Sequence, residues 1–311
     1  MKTVFLYAGQ GSQRIGMGKD MYEEFPEYRE IIDSIKLDFD YKKMMEEGDI
    51  SELSLTENTQ PCMAAFAAGV TNVLKKHGVE PDGVCGLSLG EYGALHCAGV
   101  FDAKDYVNIT AFRGRAMADA AKGIECSMSA ILGLDSSTVE EACKASSDIG
   151  FVTLVNYNCP GQYVICGDET AVVVAETLLK ERGAKRCVRL NVSGPFHTKY
   201  MESAGEALRK LFDEMDFKTP QIPVALNITG DFYNGLDDLK DILEMQVKNG
   251  VHFEEAIRKF IENGAEKFIE IGPGATLSGF VKKIAKSMDT EVSVVTIDTA
   301  NDLKAVINGV K

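Results

Sequence analysis

The segment Gly86-Leu87-Ser88-Leu89-Gly90 has the G-x-S-x-G spacing of a nucleophile elbow. Its two glycines allow a sharp turn from a strand into a helix, which exposes the serine hydroxyl. The strand-like pair Val84-Cys85 precedes the turn, and a helical pattern follows it. At the start of that helix, free N–H groups and the helix dipole would stabilise an oxyanion. Ser88 is therefore a candidate nucleophile, and the alternative is that it only caps the helix.

A serine nucleophile needs a base to accept its proton, and the chain contains four histidines. His197 ends Ser193-Gly194-Pro195-Phe196-His197, a predicted rigid loop between a strand and a helix, where catalytic groups are often placed. We predict that it is the base rather than a capping or core residue. His77 at a helix end, His96 inside the helix after Ser88 and His252 at a helix start are predicted to have structural or surface positions.

The sequence leaves open which group would orient the His197 ring. A hydrolase triad would supply an acid between the serine and the histidine in chain order, and Asp168 is the loop acid that this order suggests. A main-chain carbonyl could accept the same imidazole N–H. Both alternatives are compatible with the pattern.

A glycine-rich segment, Gly9-Gln10-Gly11-Ser12-Gln13, follows the first predicted strand. A dinucleotide-binding motif would need glycine where Arg14 stands, and a P-loop would need lysine where Met17 stands. We therefore interpret the segment as a loop whose backbone N–H groups could complete an oxyanion hole beside Ser88. The alternative is a glycine turn without a chemical role.

Arg113 lies in Ala111-Phe112-Arg113-Gly114-Arg115, on a predicted helix. A guanidinium at this place could bind a substrate carboxylate through two parallel hydrogen bonds. The alternative is an ordinary surface ion pair.

The composition excludes several functional classes. The 311 residues include 47 acidic and 33 basic side chains, which gives a net charge of −14, and the pI is about 4.9. This charge does not favour general binding to nucleic acid or anionic membranes. Met1–Ala8 is too short an apolar run for a signal peptide. Eight separated cysteines without metal-site spacing predict reduced thiols, a cytoplasmic location and no metal.

Apolar runs alternate with helical periodicity along the chain, which is typical of an α/β protein. The predicted strands outside the middle of the chain are Thr3–Ala8, Gly83–Gly86, Pro223–Asn227, Lys267–Ile271 and Val292–Thr296. The predicted helices there are Pro61–Lys76, Leu89–Cys97, Ala103–Ala121, Thr198–Glu214, Asp238–Val247, Phe253–Asn263 and one from Ala275.

The middle of the chain has a different order of elements. Its pattern predicts strands Ser127–Leu134, Phe151–Tyr157, Gln162–Gly167 and Lys185–Leu190, with helices Ser137–Ser146 and Glu169–Arg182. This β-α-β-β-α-β order is that of a ferredoxin-like unit. We therefore predict a small ferredoxin-like subdomain over 124–192, inserted into a large α/β-hydrolase-like parallel-sheet subdomain formed by 1–123 and 193–311.

Together, these motifs resemble the malonyl-CoA:acyl-carrier-protein transacylase family over essentially the whole chain. The matching segments, in the family's order and spacing, are Gly9–Gln13, Gly86–Tyr92, Arg113-Gly114, Gly194–His197, Gln246 and Gly272-Pro273-Gly274. Two positions depart from the family's usual pattern: Leu87 replaces a histidine, and Ala8 replaces a proline. Neither is a catalytic position, although Leu87 makes the wall behind the nucleophile more apolar.

The resemblance implies a role for each matching residue. Ser88 would be the nucleophile and His197 its base, with the main-chain carbonyl of Gln246 orienting the ring. Gln10 and Leu89 would supply the oxyanion N–H groups. Arg113 would hold the malonyl carboxylate, which favours malonyl over acetyl because an uncharged acyl group would leave the arginine unpaired.

The resemblance also implies an S-malonyltransferase for fatty-acid synthesis, with malonyl-CoA and a phosphopantetheinylated acyl carrier protein as substrates and no bound cofactor. Two basic clusters are candidates for docking the acidic carrier: Lys180, Arg182, Lys185, Arg186 and Arg189, and Lys282, Lys283 and Lys286. The alternatives are a Ser/His thioesterase or esterase, a transferase for another polyketide extender unit, or a binding module with an inactive site.

Overall fold

The first part of the chain supplies two neighbouring parallel strands and the helices that pack on them. The computed structural model describes residues 2–190 and 194–309. Between residues 2 and 123 its elements are β1 (Thr3–Tyr7), α1 (Lys19–Glu24), α2 (Pro26–Ser34), α3 (Tyr41–Glu47), α4 (Ile50–Leu53), α5 (Thr56–Lys76), β2 (Gly83–Gly86), α6 (Gly90–Cys97) and α7 (Ala103–Ala121).

The middle of the chain forms a separate antiparallel sheet, and the predicted order of elements is confirmed. These elements are β3 (Cys126–Leu132), α8 (Ser136–Ala145), β4 (Val152–Cys159), β5 (Gln162–Asp168), α9 (Glu169–Glu181) and β6 (Arg186–Arg189). The strands lie in the order β4-β5-β3-β6. The division into subdomains at 124–192 stays a prediction, and its second boundary, between positions 192 and 193, lies outside the described residues, as does Ser193.

The rest of the chain returns to the parallel sheet. A 3-10 turn, Lys199–Met201, precedes α10 (Glu202–Asp213), α11 (Leu239–Gln246), α12 (Phe253–Glu262), β7 (Lys267–Ile271), α13 (Thr276–Ser287), β8 (Ser293–Ile297) and α14 (Ala300–Asn308). The predicted strand Pro223–Asn227 is wrong: Val224 only forms an isolated parallel bridge with Val84. The chain turns back after Leu226, whose N–H donates to Asp231, so the ladder cannot extend.

The parallel sheet has the strand order β2-β1-β7-β8, and all of its paired strands are parallel. Alternate residues of β1 enter different apolar clusters: Phe5 and Tyr7 pack with α5, whereas Val4 and Leu6 pack with α12 and α13. Helices therefore cover both faces of this sheet, as the continuous apolar strands require. The predicted α/β class is confirmed.

The carboxyl ends of β1, β2 and β7 meet at one edge of the parallel sheet. The N–H of Leu87, just after β2, donates to the carbonyl of Tyr7 in β1 at 3.1 Å. The N–H of Ala8 donates to Ile271 in β7 at the same distance. The glycine-rich loop and the serine turn therefore lie side by side, where parallel sheets usually bind ligands.

The antiparallel sheet is joined to the segment after α11 by backbone hydrogen bonds. Tyr157 in β4 donates to Val251 at 2.9 Å, and Val251 donates to Val155 at 2.8 Å. Val251 belongs to the segment after α11, so β4 lies against the same region as the end of that helix. None of the helices in 2–190 and 194–309 has the length and apolar character needed to cross a membrane.

Candidate active site

The serine turn is built by close backbone contacts that require glycine. A Cβ atom at Gly86 would overlap the carbonyl of Gly90, and one at Gly90 would overlap the carbonyl of Tyr7. Between the two glycines, Ser88 adopts φ of 53°, in the left-handed region that non-glycine residues rarely occupy. Such a conformation costs about 1–3 kcal/mol and persists only where surrounding contacts hold it.

Ser88 and His197 are brought into contact although 109 positions separate them. Ser88 Oγ lies 2.7 Å from His197 Nε2. The histidine comes from the turn after Gly194 and also has a left-handed backbone, with φ of 61°. Its own N–H donates to the carbonyl of Val247 at 3.0 Å, which fixes the turn against the end of α11.

Two main-chain carbonyls face the other nitrogen of the His197 ring. Nδ1 lies 3.0 Å from the carbonyl oxygen of Gln246 and 3.1 Å from that of Asn249. Because both neighbours can only accept, Nδ1 carries the proton and Nε2 presents a lone pair to Ser88. Asp168 is not among the partners of His197. It accepts hydrogen bonds from the N–H of Phe151 and the hydroxyl of Tyr200.

The environment of His197 keeps the ring neutral. Burial, and next the positive charge of Arg113, lower the pKa of His197 to about 4, although the two carbonyl contacts oppose this change. A neutral imidazole can accept a proton, whereas an imidazolium cannot. The ring is therefore in the form a general base requires throughout the neutral range.

Arg113 is fully buried and points its guanidinium at the serine. Nη1 donates to Gln60 Oε1 at 2.9 Å, while Nη2 donates to Gln246 Oε1 at 3.0 Å and to Ser88 Oγ at 3.2 Å. The guanidinium carbon lies 5.3 Å from the centre of the Tyr92 ring. Within the described residues no carboxylate lies in ion-pair contact with Arg113, although Glu91 interacts with it electrostatically at longer range, and the Nε of Arg113 has no hydrogen-bond partner. A buried cation with only neutral acceptors is suited to bind an anion from outside.

Several polar residues of this site were not found by sequence reasoning. They are Gln60, Asn249, Asn227 and Glu91. Asn227 ends the predicted strand Pro223–Asn227, and a polar residue at the carboxyl end of a predicted strand is the one signal that could have indicated it. Glu91 is buried in the first turn of α6, where Oε1 accepts from the N–H of Asn227 at 2.8 Å. Burial raises the pKa of Glu91 to about 7.

Two backbone N–H groups near the serine have no acceptor among the described residues. They belong to Gln10, in the loop after β1, and to Leu89, the residue before α6. The first N–H groups of a helix have no partner within it, which leaves Leu89 able to donate to a ligand. The side-chain amide of Gln10 already has a partner, because its Nε2 donates to Thr56 Oγ1 at 3.1 Å. The backbone N–H is therefore the donor that Gln10 can offer to a ligand.

A cavity of about 270 Å³ is lined by residues of the antiparallel sheet, by the loop after β1 and by the serine turn. Its floor includes Ser88, His197 and Arg113, and one wall is formed by the glycine-rich loop. The antiparallel sheet supplies the opposite wall through residues that include Asn156, Asn158, Gln162 and Val164. Both sheets therefore contribute to one site.

The three remaining histidines have other partners. His77 caps the end of α5 and lies 3.6 Å from Glu27, and His252 caps the start of α12 and pairs with Glu255 at 2.9 Å. His96 stacks on Tyr106, and its Nδ1 lies 3.1 Å from the carbonyl of Phe101. No cluster of three metal-ligating side chains occurs in residues 2–190 or 194–309.

Comparison with known proteins identifies close relatives of this arrangement. A family model described as an acyl transferase domain matches residues 4–305. The malonyl CoA-acyl carrier protein transacylase of Bacillus subtilis (strain 168) is 40% identical, over 97% of this chain and 99% of its own length.

Solved structures extend the similarity to three dimensions. The crystal structure of malonyl CoA-acyl carrier protein transacylase from Clostridium perfringens ATCC 13124 has a TM-score of 0.94 and 37% identity, and the match covers 100% of this chain and 97% of that one. A second match is to a structure described as a type II PKS acyl-carrier protein in complex with its malonyl-transacylase. Its TM-score is 0.94 and its sequence identity 32%, and the match covers 99% of this chain and 100% of that one. The similarity spans both sheets.

Proposed function

This chain belongs to the acyl transferase family, with the malonyl-CoA:acyl-carrier-protein transacylases, and we propose that it moves a malonyl group from malonyl-CoA to the phosphopantetheine thiol of an acyl carrier protein. The observation that carries this proposal is that Ser88 Oγ contacts both His197 Nε2 and Arg113 Nη2. One oxygen thus meets a base and a buried cation. The relatives' names support both the donor and the acceptor.

In the first half-reaction, His197 Nε2 takes the proton of Ser88 as Oγ attacks the thioester carbonyl of malonyl-CoA. The carbon–sulfur bond breaks, and His197 gives the proton to the leaving sulfur. Coenzyme A departs as the free thiol, and a malonyl ester remains on the serine. The carbonyls of Gln246 and Asn249 stabilise the transient imidazolium through Nδ1. Such general-base assistance contributes about 10²–10⁴ in rate.

The oxyanion of the tetrahedral intermediate binds the N–H groups of Gln10 and Leu89. Both are free of other acceptors among the described residues, and they approach Ser88 from the loop after β1 and from the start of α6. Removing one such donor typically costs about 3–4 kcal/mol in activation free energy.

Arg113 selects the acyl group. Its Nη2 lies 3.2 Å from the attacking oxygen, so only a short acyl chain can form the ester and also bring a terminal carboxylate to the guanidinium. A malonyl group has this length. The carboxylate would replace neutral amide acceptors with a charge-assisted pair, which is about twice as strong as a neutral hydrogen bond.

In the second half-reaction, His197 Nε2 takes the proton of the carrier's thiol as the sulfur attacks the carbonyl of the malonyl ester. The bond between that carbonyl carbon and Ser88 Oγ breaks, Oγ receives the proton from His197, and malonyl remains on the carrier as a thioester. Ser88, His197 and the two substrates supply all the reacting groups, so the scheme needs no bound cofactor or metal. A cytoplasmic location is supported by the eight cysteines, all of which are free thiols.

Intact-mass measurement after mixing with malonyl-CoA tests this function. We expect wild type to gain the mass of one malonyl group and to lose it when a phosphopantetheinylated carrier is added. The Ser88→Ala variant should gain nothing. An adduct that forms but is released by water as fast as by the thiol would instead identify a thioesterase, and absence of any adduct in wild type would refute the proposal.

A further inference from the structure

Asn227 contacts the serine turn through both ends of its side-chain amide. Oδ1 accepts from the backbone N–H of Ser88 at 2.7 Å, and Nδ2 donates to the carbonyl of Gly86 at 2.7 Å. The side chain is buried. Because the amide is planar and rigid, these two bonds fix the relative orientation of the peptide groups on both sides of Leu87.

Asn227 is itself held from two directions. Its backbone N–H donates to Glu91 Oε1 at 2.8 Å, which ties it to the first turn of α6. The bridge between Val224 and Val84 places the preceding segment beside β2. Gln246 completes the arrangement, because its Nε2 donates to the carbonyl of Ser88 at 2.8 Å.

These contacts explain how an unfavourable backbone conformation is maintained. With φ of 53°, Ser88 would relax if its N–H and carbonyl were free to find other partners. The structure satisfies the N–H with the side chain of Asn227, and the carbonyl with the side chain of Gln246 and the backbone N–H of Glu91. The N–H of Ser88 is committed to Asn227, so it is not available to the oxyanion, which is left to Gln10 and Leu89.

We propose that Asn227 is a positioning residue whose amide holds Ser88 in the left-handed conformation that directs Oγ to His197. The proposal rests on the proposed function only in taking Ser88 as the nucleophile. Within the described residues, Asn227 makes no hydrogen bond to Ser88 Oγ or to His197, so its contacts with the serine turn are to the backbone; its Oδ1 also accepts from Gln246 Nε2 at 3.4 Å. Loss of the amide should therefore slow attack by the serine and leave substrate binding unchanged.

The first test compares Asn227→Ala with Asn72→Ala. Asn72 is a matched control because its Nδ2 also donates to a backbone carbonyl, that of Glu27, at 2.8 Å in the packing of α5 against α2. The readouts are the rate at which a fluorophosphonate labels Ser88 and the steady-state constants for malonyl transfer. For Asn227→Ala we expect labelling and kcat to fall about 100-fold, the scale of a small misplacement of a reacting group. KM for malonyl-CoA and the Asn72→Ala rates should stay near wild type.

The second test uses Asn227→Asp, which keeps the acceptor for Ser88 but changes the donor. An ionised carboxylate would face the Gly86 carbonyl with an oxygen, whereas a protonated one could donate to it as the amide does. The labelling rate of this variant, divided by that of wild type at each pH, should rise as the pH falls from 8 to 5. The ratio is needed because Glu91, Arg113 and His197 surround the same turn and affect both proteins, while burial keeps the Cys85 thiol neutral by raising its pKa.

The outcomes separate this role from a general structural one. Circular dichroism and thermal melting at each pH show whether each variant is folded, so a loss of stability is distinguished from a change in the ratio of the Asn227→Asp and wild-type labelling rates. Near-wild-type labelling by folded Asn227→Ala, or a flat pH ratio for Asn227→Asp, would overturn the proposal. Labelling by the fluorophosphonate measures the reactivity of Ser88 whichever acyl group the protein transfers. The test therefore remains informative even if malonyl transfer is not found.

Discussion

The arginine at the cavity floor and the arginine on the surface of the antiparallel sheet differ in their partners. On β6, Arg189 is exposed, and its guanidinium pairs with Glu176 at 2.7 Å and with Glu169 at 3.1 Å. In the cavity, Arg113 is fully buried and meets only neutral oxygens of Gln60, Gln246 and Ser88. The chain thus neutralises the cation that water could solvate and leaves unpaired the one that water cannot reach.

The difference shows that a cation's partners indicate its function better than its location or the net charge does. An exposed ion pair contributes about 0–1 kcal/mol and is screened by salt. A buried cation without a counter-ion carries a desolvation cost of several kcal/mol, which a bound carboxylate would offset. A protein of net charge −14 can in this way contain a site that is suited to bind an anion.

Replacing the buried arginine should have the largest effect. In Arg113→Ala we expect kcat/KM for malonyl-CoA to fall by about 30- to 5,000-fold, which corresponds to the 2–5 kcal/mol typical of a buried charged pair that loses one partner. Use of acetyl-CoA relative to malonyl-CoA should rise. Steady-state kinetics with both donors measure this, with Arg189→Ala as the matched control. An unchanged acyl preference in Arg113→Ala would contradict the role of Arg113.

A second difference between the two arginines should appear in the pH dependence. Because burial and the charge of Arg113 lower the pKa of His197 to about 4, the neutral base is present above that pH and is lost as the pH falls through it. In wild type the rate of Ser88 labelling should therefore decline only near pH 4. In Arg113→Gln this decline should move to higher pH, because one cause of the lowered pKa has been removed.

The control for this shift is Arg189→Gln, which removes an exposed positive charge that is already paired with Glu176 and Glu169. Its acid limb should coincide with that of wild type. Equal shifts in both variants would mean that the limb reports on the protein's net charge and not on the local contact between Arg113 and the site.

The smallest effect concerns docking of the carrier protein. Lys283 resembles Arg113 in having a neutral partner, because its Nζ donates to Gln162 Oε1 at 3.1 Å, and Gln162 lines the cavity. We expect Lys283→Glu to raise the apparent KM for the acidic carrier about fivefold, equivalent to about 1 kcal/mol for an exposed charge. The malonyl-CoA half-reaction should not change.

Arg189→Ala again serves as the comparison, because its guanidinium already has two carboxylate partners. Its KM for the carrier should change less than that of Lys283→Glu, and the Lys283→Glu effect should weaken at high salt. A larger effect at Arg189 would assign docking to the other basic cluster.

Much of the architecture could be predicted because it follows from local patterns. The strand Lys267–Ile271 and the helix Ala103–Ala121 have the predicted bounds, since apolar periodicity and an Asp102 cap define them. The strand predicted at Pro223–Asn227 fails because its pairing depends on a distant segment, β2, and the chain turns back after Leu226 before more than the bridge between Val224 and Val84 can form. The same limitation hid Asn227, whose amide has meaning only beside a turn 139 positions earlier.

For this protein, residue type and short-range spacing were enough to indicate the class of fold, the exposed serine and the histidine most suited to serve it. The spacing of the glycines at 86 and 90 around the serine, and the Gly-Pro pair before His197, are local patterns, so they can be recognised from neighbouring residues. Only the folded chain decided that main-chain carbonyls of Gln246 and Asn249, and not Asp168, face the imidazole. It also decided that Arg113 is buried without a carboxylate. These outcomes depend on packing between segments far apart in sequence, which no local pattern encodes.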